Sequence, residues 1–428
     1  MAEELIALVG AEVMGTVRYA RDRISFRYDD GWRENPAAFP LSLSMPLVQS
    51  EHEDAVVRPF LWGLLPDNDD VLRHWGRRFQ VSARNPFRLL RHIGEDCAGA
   101  VQFVPPEIAS DWGNGSAPGG IDWIGEAELI ERIDELVTDH ASARRLGDEG
   151  HFSLAGAQPK TGLIRDLESG RWGIPKGSTP TTHILKPNTG AFGGQDLNEH
   201  LCLQIARGLG LDTCRSSISK IGEIDVIVVE RYDRRRLPDG RWIRIHQEDT
   251  CQALGRSPDT KYQNQGGPSA NDVFGLIQSR SSRASEDTNA FLRAMVFNWL
   301  ISGTDAHGKN FGFLIAGRGQ VRLAPLYDVA SALPYPRQIP PRKAKLAMKI
   351  GGQYVHQRIG GREWRKAAEE WRIPAESIIE AISEMASAIP DAVQQAVERL
   401  PDPEAPLALD LADRLQQAAA AARKVIVS

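Results

Sequence analysis

The segment Ser302–Phe313, SGTDAHGKNFGF, places a carboxylate (Asp305), an imidazole (His307), an ammonium (Lys309) and an amide (Asn310) within six residues. Asp305 and Asn310 stand five positions apart, and another acid, Asp328, follows eighteen residues after Asn310 in LAPLYDVAS. A carboxylate beside an attacking hydroxyl can accept its proton, while Asn and Asp oxygens are hard ligands suited to magnesium. The trio therefore fits magnesium-dependent phosphoryl transfer, and the D-x-x-x-x-N spacing repeats that of a kinase catalytic loop with Thr304 in place of the usual Arg. A metallohydrolase with Asp305, His307 and Asp328 as ligands is the competing arrangement. It leaves the following residues without a role.

Gly156 and its small neighbours in SLAGAQPK would let backbone N–H groups approach phosphate closely. This is not a Walker loop, because Leu154 and Pro159 stand where that motif needs glycine. Lys186 stands at the end of an expected strand, Thr181–Pro187, ahead of an amphipathic helix, the position of a kinase lysine that holds the α- and β-phosphates; Glu199 on that helix is its candidate partner. At Val228–Arg234 the chain passes from apolar to charged residues, as a hinge between lobes does. Main-chain groups of Glu230 and Tyr232 could there face adenine.

Positioning these groups requires strands early and helices late. Residues 5–30 alternate in the strand manner, Phe60–Pro66 and Phe87–Gly94 read as helices, and the Pro/Gly/Ser-rich stretch 105–120 reads as a linker. Helical periodicity covers 126–145 and Leu197–Leu209, two strands are expected within 152–164, and Ile224–Glu230 is a short buried strand. Helices are expected at 247–254, 271–279, 287–302, 375–399 and 407–426, with a strand at Phe311–Ile315. The fold class is α+β.

The 428 residues suffice for about two to three domains. With 51 basic and 56 acidic residues the net charge is −5, so no global affinity for polyanions is expected; the clusters Arg231/Arg234/Arg235/Arg236 and Arg337/Arg342/Lys343/Lys345 read as solvated faces. Cys97, Cys202, Cys214 and Cys251 form no CxxC or paired spacing, which points to a reducing cytoplasm without zinc or disulfides. The amino terminus lacks the positive region of a secretory signal, and no apolar run approaches the length of a membrane span.

Seven ordered motifs, SLAGAQPK, THILKP, VERYDR, HQEDTCQALG, KYQNQGGPS, TDAHGKNF and LAPLYDVASA, make the chain resemble the HipA family of bacterial serine/threonine kinase toxins over nearly its whole length. The resemblance implies a two-lobed kinase-like fold. Its parts are a β-rich amino-terminal domain (1–105), a linker and connecting helix (106–148), a sheet-containing nucleotide lobe (149–245) and a mostly helical lobe with the catalytic loop (246–428). It further implies that Asp305 is the catalytic base and that Asn310 and Asp328 bind magnesium. Ala155, Gly156, Ala157, Gln158, Pro159, Lys160, Lys186, Glu230, Arg231, Tyr232, His307 and Tyr327 then line the ATP site, with Lys309 as nearby support. Ser153 becomes an autophosphorylation site whose modification expels the loop and switches the kinase off. Pro159 departs from the Glu often found in the family, whereas no core catalytic position is substituted.

In the same terms the substrate is a protein such as an aminoacyl-tRNA synthetase. The partner is a HipB-like helix-turn-helix antitoxin that carries the toxin onto operator DNA, in the cytoplasm or at the nucleoid and away from membranes. A small-molecule phosphotransferase and a catalytically silent corepressor bound to an antitoxin are the alternatives.

Overall fold

The computed structural model describes residues 2–113, 119–139, 153–156, 158–189 and 192–427. The chain divides into two units. The first comprises Met1–Pro187, Lys220–Asp259 and Phe313–Gln320, and the second Asn188–Ser219, Thr260–Gly312 and Val321–Ser428.

The first unit opens with an antiparallel sheet in the order Glu51–His52, Arg23–Tyr28, Glu12–Ala20, Glu3–Val9, Val101–Val104. Alternation within Arg23–Tyr28 buries Ile24, Phe26 and Tyr28 on one face, as the period-two pattern predicts. The stretch expected to be a linker carries regular structure in its described residues on either side of 114–118. Pro106–Gly113 is a helix, and its Ile108, Ala109 and Trp112 form an apolar stripe against Leu8 and Val104; Gly119–Trp123 is a strand.

A six-stranded sheet follows in the order Ser216–Ile221, Ile224–Glu230, His183–Pro187, Thr161–Arg165, Trp172–Gly177, Gly119–Trp123. The helix Glu126–Thr138 covers one face, where Leu129 and Ile133 pack among Leu163, Leu185, Val226 and Val228. Because strand side chains alternate, Leu185 in that core puts Lys186 on the opposite face. Of the two strands expected within 152–164, one forms, at Thr161–Arg165; Ser153–Gly156 is loop. The expected extension of helix 126–145 beyond Asp139 lies outside the described residues.

Where a helix is expected at 247–254, His246–Asp249 is a buried strand and only Thr250–Ala253 is helical. Burial of four consecutive polar side chains is possible because each meets a fixed partner: His246 Nε2 donates to the Leu41 carbonyl at 2.9 Å, Gln247 accepts from Tyr232 Oη at 2.8 Å, Glu248 accepts from Leu43 N at 2.7 Å and Asp249 caps Gln252 N at 2.9 Å.

The second unit is mostly helical: Gln195–Gly208, Ala270–Arg280, Ala284–Leu300, Gly361–Trp371, Ala375–Glu398 and Pro406–Val427. Alanines at 381, 386, 392 and 396 are buried along Ala375–Glu398, and small residues let helices approach closely, as where Gly208 lies against Ala392. Phe274, Phe291, Trp364 and Trp371 fill the core between helices with edge-on and tilted rings. Among the described residues no helix is long and apolar enough to cross a membrane.

Candidate active site

In the second unit the polar loop is held at both ends by buried chain. Helix Ala284–Leu300 buries Phe291, Leu292, Met295, Val296, Trp299 and Leu300, then stops as Ser302 takes a left-handed φ of +52°. Ser302 N donates to the Trp299 carbonyl at 3.1 Å and Gly303 N to the Asn298 carbonyl at 2.7 Å, the pair of bonds that closes many helix ends. A side chain on Gly303 would come within 2.4 Å of Asn298 Oδ1.

Beyond this stop the loop closes on itself. His307 N donates to the Asp305 carbonyl at 2.8 Å and Asn310 N to the His307 carbonyl at 2.9 Å. The Asn310 amide nitrogen then donates to two carbonyls, those of Asp305 at 2.9 Å and Asp328 at 3.3 Å, tying the two acidic positions together. Tyr327 Oη donates to the Lys309 carbonyl at 2.5 Å. Asp328 itself has a left-handed φ of +55°. Behind it, Ser331 is fixed by Asn198, whose side chain both donates to the Ser331 carbonyl at 2.8 Å and accepts from its N–H at 3.0 Å.

The Asp305 carboxylate is exposed, whereas His307, Lys309 and Asn310 are buried. An acceptor open to an incoming hydroxyl on a rigid, buried frame is the arrangement a general base needs. Asn310 fits a cation for a related reason. With its nitrogen committed to carbonyls, its Oδ1 remains as a hard donor beside the Asp328 main chain. The metallohydrolase set is not assembled: among the described residues no group of three or more His, Cys, Asp and Glu side chains could hold a metal.

Tyr262 is the residue that spacing in the sequence does not reveal. Its hydroxyl donates to Asp305 Oδ1, and its ring meets His307 edge-on at 4.9 Å. Gly308 N donates to the neighbouring Lys261 carbonyl at 3.2 Å, so the segment around Tyr262 braces the loop. A tyrosine 43 residues from its partner carries no periodic signal; only its place in KYQNQGGPS marks it.

Glu199, the expected partner of Lys186, is buried on helix Gln195–Gly208 of the second unit. The remaining predicted residues lie in the first unit. Gly156 has φ +103°, its carbonyl accepts from Asp67 N at 3.3 Å, and a Cβ there would sit 2.4 Å from Lys160 Nζ. Lys160 Nζ donates to the Ala155 carbonyl at 2.7 Å. Gln158 and Pro159 are half-buried, and Ala157 lies outside the described residues. Ser153 is fully buried: its N–H donates to the Asp96 carbonyl at 2.9 Å and its hydroxyl to the Leu64 carbonyl at 2.7 Å. Lys186 is 5% exposed.

At the expected hinge Glu230 is exposed and Tyr232 half-buried, and the basic run is a solvated face only at Arg235 and Arg236. Arg231 and Arg234 are buried, joined to Asp96, Asp233, Thr181 and the Cys97 carbonyl, and Arg244 reaches Asp96 at 3.1 Å. That commitment occupies the Arg231 guanidinium within the protein, and its backbone N–H donates to the Thr182 carbonyl at 2.9 Å. Burial alone would raise the Asp96 carboxyl, but Arg234, Arg244 and Arg231 outweigh it and hold the group well below the usual carboxylate range.

Together, the ordered motifs, the sheet lysine and the braced Asp–Asn loop define a serine/threonine kinase of the toxin type. The chain matches the HipA N-terminal domain over residues 5–104 and the HipA-like C-terminal domain over residues 152–393. It is 36% identical to Y4mE of Sinorhizobium fredii over 392 residues, 90% of each chain. It is 29% identical to the serine/threonine-protein kinase toxin HipA of Shewanella oneidensis over 402 residues, covering 89% of this chain and 86% of the relative. A solved complex of Shewanella oneidensis HipA, HipB and operator DNA superposes with a TM-score of 0.83 at 26% identity over 99% of both chains. The chain belongs to the HipA family.

Proposed function

We propose that the protein transfers the γ-phosphoryl group of ATP to a serine or threonine hydroxyl of another protein, with magnesium, and thereby arrests growth. The observation that carries the reading is the Asn310 amide bonded to the backbone of both Asp305 and Asp328. It supports the reading by tying the backbone of Asp305, the proposed proton acceptor, to that of Asp328, the proposed magnesium ligand. Asp305 takes the proton of the acceptor hydroxyl while Tyr262 orients the carboxylate. Asn310 Oδ1 and the Asp328 carboxylate would hold magnesium, which when bound neutralises charge on the phosphate oxygens. Lys186, the backbone of Ala155–Lys160, Glu230–Tyr232, His307 and Tyr327 bind the nucleotide, with Lys309 as support. The parts are 1–105, 106–148, 149–245 and 246–428 as read from the sequence.

Ser153 is the site of autophosphorylation. Its hydroxyl points at a carbonyl in a fully buried position, so the loop must withdraw before it reacts. A phosphate could not return opposite the Leu64 carbonyl without repulsion, which makes the modification an off-switch. The partner is a HipB-like antitoxin that brings the protein to operator DNA, as in the superposing complex, and the setting is the cytoplasm. The protein substrate is a translation component such as an aminoacyl-tRNA synthetase.

The test uses purified protein, γ-labelled ATP and a cell lysate. Asp305→Asn is expected to lower transfer by about 10²- to 10⁴-fold, the usual contribution of a general base. Label on a protein band and on Ser153 is the expected result. Undiminished transfer by Asp305→Asn overturns the assignment of the base, and label confined to a metabolite overturns the protein substrate.

A further inference from the structure

Asp328 stands in a stretch without regular structure, Tyr327 to Ala330, and adopts a left-handed φ of +55°. That conformation is strained for a residue with a side chain, and it persists where neighbouring structure imposes it. Before Asp328 the chain is anchored at Leu326, whose N–H donates to the Asp212 carbonyl at 2.9 Å and whose carbonyl accepts from Cys214 N at 2.8 Å. After it the chain is anchored at Ser331.

Asn198, on helix Gln195–Gly208, makes that second anchor. Its amide donates to the Ser331 carbonyl at 2.8 Å and accepts from the Ser331 N–H at 3.0 Å, so one side chain takes the place of a neighbouring strand. The fork needs a donor and an acceptor on one planar group, which a carboxamide supplies uncharged. Both residues are buried, so solvent does not substitute for either bond. The anchor also reaches the chain that opens the Asp305 loop. Ser331 Oγ donates to the Ile301 carbonyl at 2.6 Å, and Ala332 N donates to the Ser302 carbonyl at 3.2 Å.

Nothing in the helix itself calls for an asparagine at this position. Asparagine is a weak helix former, and Asn198 sits inside the helix among the buried Leu201, Cys202 and Ile205 rather than at its cap. Its polar group is used at Ser331, three residues beyond the strained aspartate.

We propose that Asn198 is a positioning residue for magnesium: by clasping Ser331 it holds Asp328 in the left-handed conformation that binds the cation. Asn198 acts through Asp328, not by contact with the metal. The inference rests on the reading of Asp328 as a magnesium ligand.

Magnesium is titrated against the nucleotide-dependent thermal stabilisation of the full-length protein, for wild type, Asn198→Ala, Asp328→Ala and the double variant. Asn198→Ala is expected to raise the magnesium midpoint about tenfold, a difference of about 1.4 kcal/mol. The double variant should titrate as Asp328→Ala does, because a residue that acts through the carboxylate has no effect once the carboxylate is gone. Ile382→Ala truncates the buried core of helix Ala375–Glu398 away from the clasp; it should lower the thermal transition and leave the midpoint unchanged. In the metal-free protein, backbone hydrogen exchange in the peptide containing Ser331 should be faster in Asn198→Ala than in wild type. Asn198→Asp has the same shape and keeps the acceptor for Ser331 N; it serves the same titration where the alanine variant lacks a thermal transition, with a rise in midpoint again expected. An unmoved midpoint in the Asn198 variants, an equal shift from Ile382→Ala, or a double variant that titrates higher than Asp328→Ala overturns the proposal. An unmoved midpoint in Asp328→Ala is a different failure: it removes the magnesium reading of Asp328, and this inference with it.

Discussion

Asp96→Asn should unfold the first unit at a markedly lower temperature, although it changes one atom. The carboxylate accepts from Thr181 N at 2.9 Å and Thr181 Oγ1 at 2.6 Å, and lies within 2.8 to 3.4 Å of Arg234, Arg244 and Arg231. Asparagine keeps the shape but leaves Arg231 and Arg234 with Asp233 alone, and Arg244 with the Ser178 carbonyl at 2.9 Å. Removing one partner of a buried ion pair costs about 3–5 kcal/mol, because the remaining charge is left without compensation. For a unit of this size about 2–4 °C per kcal/mol is expected, hence a fall of roughly 6–20 °C in Tm by calorimetry at pH 7. The pH dependence supplies an internal control. A depressed folded pKa gives stability that is present above the unfolded carboxyl value of about 3.9 and is lost as pH falls through the folded value. The gap between wild type and variant must therefore narrow below about pH 4. A variant within about 1 kcal/mol of wild type at pH 7, well under the cost of an uncompensated buried charge, or a gap that does not change with pH, refutes the reasoning.

Other outcomes follow from the same geometry. Burial pushes the Glu248 carboxyl up to about 8, so the folded protein holds a proton that the unfolded chain releases; stability should decline as pH rises from about 4.5 to 8, by a few kcal/mol, and Glu248→Gln should flatten that slope in urea unfolding series. Equal slopes in the two proteins would show that the group is already ionised inside. Tyr262→Phe removes a charge-assisted bond to Asp305 worth about 1.5–3 kcal/mol, so kcat should fall about tenfold or more with KM for ATP nearly unchanged; a kcat within twofold of wild type leaves Tyr262 without an orienting role. Asn310→Ala should raise the magnesium concentration at the midpoint of nucleotide-dependent thermal stabilisation by about tenfold, and an unmoved midpoint excludes Asn310 as a ligand.

Much of the fold was legible where one physical signal dominates. Ile224–Glu230 is a run of apolar β-formers, and a strand has those bounds; Ala375–Glu398 repeats its apolar residues at helical spacing, and a helix forms within a residue of expectation. The strand His246–Asp249 was illegible because its four side chains are polar, and their partners lie as far away as Leu41. Arg231 and Arg234 misled for the same reason, since a charge run looks solvated until Asp96, more than a hundred residues upstream, is brought to it. In the site, Asp305, Asn310 and Asp328 stood out by type and spacing. Tyr262 did not, because a single contact between distant segments leaves no pattern in either.

The way the amino-terminal strands are fastened has a consequence for how such chains can be divided. The Leu64 carbonyl receives Ser153, Leu43 N reaches Glu248, and the Ser42 and Ser44 hydroxyls donate to the Gln252 carbonyl at 3.2 and 3.0 Å. A protein begun at residue 106 would present those acceptors and donors to water, together with the arginines that Asp96 neutralises. The first hundred residues therefore behave as a structural half of the first unit. In swaps between relatives, residues 1–105 and 153–259 should travel as one cassette, because a junction drawn between them exchanges one side of every one of these bonds.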